Sequence, residues 1–244
     1  MTIAFRIVAG VFGVLFTVAQ VIFVVMSVAE MDGQQVHVVH NLAGFATTTM
    51  LAAIPLVLLA WRPRQVALLR LVVAAGLATL IGGLLSGVLV SYLLIGLVPP
   101  ILLLALSHDR REVFRLGAPV IALLAIAIVA AVPAVMEAVR QGDLQGGHLH
   151  GDEHIEQLHY AGMAVGVLAL LLGAAWSAFP ARAARTARDL VGLGGAFLGA
   201  SSLAYPDAVG AFDTGWAVAV LVLGVLYLAI SEIVARRAAP VRVP

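Results

Sequence analysis

The chain has 244 residues, 62% of them hydrophobic and 11% charged, with a mean hydropathy of +1.08, whereas a soluble domain carries roughly 25% charged residues. No water-soluble fold can hide that much apolar surface, and at roughly 20 residues per crossing the length suits seven or eight membrane spans. The absence of Cys excludes disulfides and thiolate sites, the absence of Lys excludes a Schiff base, and a formal net charge of +1 offers no basic surface for nucleic acid.

Taken in chain order, long apolar runs predict helices over 5–28, 38–60, 71–90, 92–106, 118–138, 158–179, 190–203 and 215–234. Ser27-Val28-Ala29 has the form of a signal-peptidase site, but the run before it is long for a signal peptide and reads as a retained span. Only Ser91 and Tyr92 part the third run from the fourth, and Pro99-Pro100 interrupts the fourth. Seven spans with one broken helix is therefore the variant of an eight-span reading. The Ala, Val, Leu and Gly bias, with Arg in place of Lys, points to a bacterial genome of high GC content.

Charge sets the expected orientation. Thirteen arginines and four acids fall in one set of alternate connections, and Arg140 with nine acids falls in the other. By the positive-inside rule the arginine side is cytoplasmic, which predicts a multi-pass protein of the inner (cytoplasmic) membrane with both termini inside.

Two halves of the chain read alike. Val25-Met26 recurs as Val135-Met136, each before an acidic loop that leads into histidines. Asn41 to Ala46 matches His159 to Ala164, Trp61 matches Trp176, and Gly76, Gly83 and Ser86 match Gly192, Gly199 and Ser202. The expected fold is all-α and polytopic: four helices in 1–116 and four in 117–244, one membrane domain as a 4+4 parallel repeat about an axis along the membrane normal. Gly83-x-x-x-Gly87, Gly162-x-x-x-Gly166 and Gly195-x-x-x-Gly199 supply small faces for close helix packing.

Six of the seven histidines lie on the expected outer side, in the loops that the repeat equates: His37, His40, His148, His150, His154 and His159. His37 and His40 are three apart, His150 and His154 four apart, and Glu156 stands three before His159, with Asp152 and Glu153 nearby. Imidazole with carboxylate suits a divalent transition metal such as Zn, Cu or Fe. His37, His40, His150, His154, Glu156 and His159 are thus the candidate metal set, while His148 sits in a Gly-rich stretch that fixes no geometry. His40 and His159 are the most informative, because each opens an apolar run where an imidazole near lipid needs a partner. His108 precedes Asp109-Arg110-Arg111 at the other side and reads as an interfacial cap.

Two four-helix halves with histidines at helix ends resemble the architecture of haem A synthase, whose halves carry haem-ligating histidines on even-numbered helices. The fourth and eighth runs here have no outer-side His, and the outer-loop cysteines of many of those enzymes are absent. Three functions follow: a metal-binding protein for uptake, sensing or metal-dependent chemistry; a b-type haem protein with His40 and His159 as axial ligands; or a non-catalytic scaffold packed on lipid, a membrane-protein partner or a second copy. No phosphate loop, nucleophile elbow or catalytic triad pattern is present.

Overall fold

The computed structural model describes residues 3–30, 38–147, 153–208 and 210–238. These residues are helical, with no strand among them. The long helices are α1 (Ile3–Glu30), α2 (Val38–Trp61), α3 (Val66–Leu85), α4 (Leu89–Leu106), α5 (Ile121–Gln145), α6 (His159–Ser177), α7 (Ala184–Ala204) and α8 (Thr214–Ala238). Six of them, α1, α2, α3, α5, α6 and α8, are long and apolar enough to cross a membrane. In α4 the described apolar part is Gly96–Leu106, and α7 opens on Arg185, Arg188 and Asp189 and is rich in Gly and Ser. Helices are the expected form for such runs, since lipid offers no partner to a backbone N–H or C=O and the helix satisfies both internally.

The outward faces carry apolar residues that water would not tolerate. On α1, Ile7, Val11, Val14, Val18 and Ile22 are all more than half exposed and recur at helical spacing; on α5, Ile128, Val132 and Met136 do the same. α3 and α6 lie at the centre, where Leu68, Leu71, Ala164 and Leu168 are buried.

Neighbouring helices run antiparallel. Gly10 and Gly13 of α1 meet Ala60 and Val57 of α2, Gly76 of α3 meets Pro100 and the Gly96 carbonyl of α4, and Gly192 of α7 meets Leu228 and the Gly224 carbonyl of α8. The third and fourth runs are therefore two helices, parted by a turn at Gly87 with φ +68°, and not one broken span. Pro99 and Pro100 do not interrupt α4. Pro100 removes the N–H that would serve the Gly96 carbonyl, and that carbonyl instead lies against Gly76, where no side chain excludes it. α2 contains a π-helical stretch, Phe45–Ala53, and returns to α geometry at Ile54, just where Pro55 has no N–H that would need an acceptor. Within it Thr47 Oγ1 bonds back to the Ala43 carbonyl at 2.9 Å, as expected of a hydroxyl inside an apolar helix.

Several helix boundaries differ from those the sequence predicts, and three of them take polar residues into helices. α3 begins at Val66 and α7 at Ala184, several residues early, and each takes an arginine into its first turns. Arg70 is 2% exposed, yet its guanidinium donates to the carbonyls of Val113 at 2.9 Å, Glu112 at 3.1 Å, Arg115 at 2.6 Å and both Phe179 and Pro180 at 3.4 Å. Such a cradle lets a charge count as interior. Arg188, likewise buried, donates to the Ser177 carbonyl at 2.9 Å. The third difference is α5, which runs on to Gln145, two turns beyond the end of its apolar run.

This alternation sends Arg6, Arg62, Arg64, Arg110, Arg111, Arg115, Arg182, Arg185, Arg236 and Arg237 to one end of the bundle. His40, His159, Glu137, Arg140, Asp143, Glu156, Asp207 and Asp213 go to the other, here called the histidine end.

Candidate functional site

The histidine end is built from α2, α5, α6 and the turn between α7 and α8. His40, in the first turn of α2, is 5% exposed, and His159 is the first residue of α6. Their rings have centroids 5.4 Å apart and planes inclined by 20°. Tyr160, 4% exposed, sets its ring edge-on to His40 at 5.6 Å. Thus the two histidines that each stand in the first turn of an apolar helix have their rings side by side.

The other sequence candidates are distributed differently. Glu156 ends a short helical turn, Glu153–Glu156, and is exposed. Between it and His159 the chain passes through Leu158 at φ 60°, so the two are not one helical turn apart as a continuous helix would make them. The continuous helical turn that the spacing suggests is replaced by a left-handed residue that ends one helix and starts the next. His37, His148, His150 and Asp152 lie outside the described residues, as does the side chain of His154. Among the described residues no three His, Asp or Glu side chains converge as a metal-binding group. His108 is exposed at the arginine-rich end, away from this site.

Compared with protein-family models, curated proteins and solved structures, the chain shows no match. Its chemistry must be read from its own residues.

Gly210, Gln141 and Gln145, none of them a candidate from the sequence, hold the site together with Glu137 and Arg140. Gly210, at φ +82°, lies so close to His40 that a Cβ added there would collide with Nε2. Its carbonyl accepts from Gln141 Nε2 at 3.3 Å, and the same amide donates to Glu137 Oε1 at 2.8 Å. Arg140 grips Glu137 through Nε at 2.9 Å and Nη2 at 2.7 Å and reaches the Ala211 carbonyl at 3.3 Å. Gln145 joins α5 to α6: its Nε2 donates to the Ile155 carbonyl at 2.7 Å, and its Oε1 accepts from Ala161 N–H at 3.1 Å. Leu158, at the N-cap of α6, has no side-chain oxygen to offer the first-turn amides, so Gln145 acts as the cap from a neighbouring helix.

Glu137, Gln141 and Gln145 recur every four residues, a polar stripe on the extension of α5. That period was the available signal, hidden because the helix was ended where the apolar run ended. Gln141 is fully buried, and its Oε1 has no donor among the described residues. A buried acceptor left without a donor is uncommon and marks a place able to take a ligand.

Proposed function

We propose that the chain is an eight-span inner-membrane protein whose outer end captures a divalent transition metal through His40 and His159. The observation that carries this reading is the meeting of these two rings from different halves. Two imidazoles sharing one tetrahedral cation, with metal–N bonds of about 2.0–2.1 Å, place their ring centroids roughly 5 Å apart, which fits the observed 5.4 Å. Gln141 Oε1 adds an unserved buried acceptor one contact away, through Gly210, and the acids of this end draw cations towards it. Two nitrogens leave coordination positions open for water or further ligands, so capture and handover is the role that the donor set suits. Axial ligation of haem suits the pair less well: rings on opposite sides of one iron stand about 6 Å apart or more by the same bond lengths, with a macrocycle between them.

Several contacts support the 4+4 reading. α1 packs on α2 and α4, and α5 packs on α6 and α8; α3 crosses to α6, and α7 crosses to α2. Gly76 rests on the carbonyl of Gly96 and on Pro100, and Gly192 rests on the carbonyl of Gly224 and on Leu228. Arg70 and Arg188 are each the fifth residue of their helix and each serve carbonyls.

The test is metal content per protein, by elemental mass spectrometry, on protein purified without chelator, together with an absorption spectrum. His40→Ala or His159→Ala removes the bound metal, because losing one ligand of a small set removes most of the affinity, while His148→Ala leaves it nearly unchanged. A Soret band in the wild type would favour haem. Wild-type protein with neither metal nor haem, or an equal loss from His148→Ala, would leave the scaffold reading in its place.

A further inference from the structure

Between α5, α6, α7 and α8 lies a cavity of about 340 Å³, the size of a small-ligand pocket. It is separate from the histidine pair, and no step of the metal proposal uses it. Its depth is apolar: Ala127, Val191, Leu198 and Phe212 line it and are buried. At its inner limit the Tyr227 hydroxyl is already engaged, by Ser177 Oγ at 2.8 Å and the Ala174 carbonyl at 2.7 Å. At the histidine end the rim is charged, with Arg140, Glu137 and Asp213, and Trp216 stands beside them at 45% exposure. Met136, on the same rim, is 64% exposed, so the cavity opens sideways through the apolar faces of the bundle.

An apolar slot opening towards lipid, with charges at one end and a Trp at interfacial depth, has the polarity of a membrane amphiphile. The rim charges select its head. Glu137 is occupied by Arg140 and Gln141, but among the described residues Arg140 Nη1 donates no hydrogen bond and the Asp213 carboxylate, close enough to Arg140 for their charges to act on each other, accepts none. One open guanidinium N–H and one open carboxylate ask for a head group that offers an anionic acceptor and a cationic donor together. An anionic head would meet a rim of net negative charge, and a neutral head would leave both groups unserved.

We propose that this cavity binds one acyl chain of a zwitterionic aminophospholipid, its phosphate accepting from Arg140 Nη1 and its ammonium pairing with Asp213. The probe is Trp216 fluorescence in a chain whose other tryptophans are removed by Trp61→Phe and Trp176→Phe. This protein is reconstituted into phosphatidylcholine vesicles containing a small fraction of lipid with brominated chains, which quench a neighbouring indole. Brominated phosphatidylethanolamine should quench saturably, at a mole fraction roughly threefold lower than brominated phosphatidylglycerol, the preference expected of one partly exposed ion pair. Asp213→Asn, an exposed change that leaves the fold alone, should bring the two lipids level. Ala130→Phe, which fills the slot from α5, should remove the saturable component for both. Quenching that rises in proportion to mole fraction and equally for both lipids would show bulk lipid only and overturn the proposal. So would an unchanged saturable component in Ala130→Phe.

Discussion

Two glycines with the same backbone sign test what closeness to a histidine is worth. Gly87 has φ +68° with open space where a Cβ would go, whereas Gly210 has φ +82° with His40 Nε2 in that space. Gly87→Ala should cost only the left-handed backbone penalty, about 1 kcal/mol. Gly210→Ala adds the displacement of a buried ring, and it should lose stability by roughly 2–3 kcal/mol. Chemical denaturation of the two variants measures the difference; equal losses would mean that Gly210 does not position His40. Arg70 offers a second case. Arg70→Met leaves the carbonyls of Val113, Glu112 and Arg115 without their donor, and the loss is expected to be on the order of 3 kcal/mol. Arg70→Lys should recover only part of it, because an ammonium cannot reproduce the planar fork. A thermal-unfolding series in detergent would decide, and an Arg70→Lys variant as stable as wild type would show that charge alone is what the cradle needs.

At the scale of elements, the lesson concerns where helices end. Long apolar runs placed the long helices, six of them long and apolar enough to cross a membrane, because backbone hydrogen bonding in lipid leaves no alternative. They misjudged the ends of α3, α5 and α7, where arginines and glutamines continue the helix once other segments supply their partners. Gln145 shows why: its position is polar by sequence and interior by structure, stitched to Ile155 and Ala161. Gln145→Leu keeps the volume and removes the cap, and it should destabilise the start of α6 by about 1–2 kcal/mol. Amide exchange should then quicken at Tyr160 and Ala161; unchanged exchange there would show that the first turn needs no cap.

For the whole molecule, the separation of arginines from histidines and acids onto opposite ends is the strongest pattern, and it yields a direct test of sidedness. Cysteine introduced at Gly146 should react with a membrane-impermeant maleimide in intact cells, and cysteine introduced at Ala184 should not. The reverse pattern would move the histidine end to the cytoplasm and with it the place of metal capture.

The sequence by itself determined the helical class, the alternation of charge and the choice of His40 and His159 as candidates, because membrane burial acts on composition and on short-range period. Tertiary structure alone decided that Gly210, from a turn more than 160 positions later in the chain, covers His40. It also decided that Gln141 and Gln145 are interior and that a left-handed Leu158 stands between Glu156 and His159. The physical reason is common to all three. Each depends on which backbone groups a distant segment brings near, and a polar side chain becomes interior only when such a segment answers its hydrogen bonds.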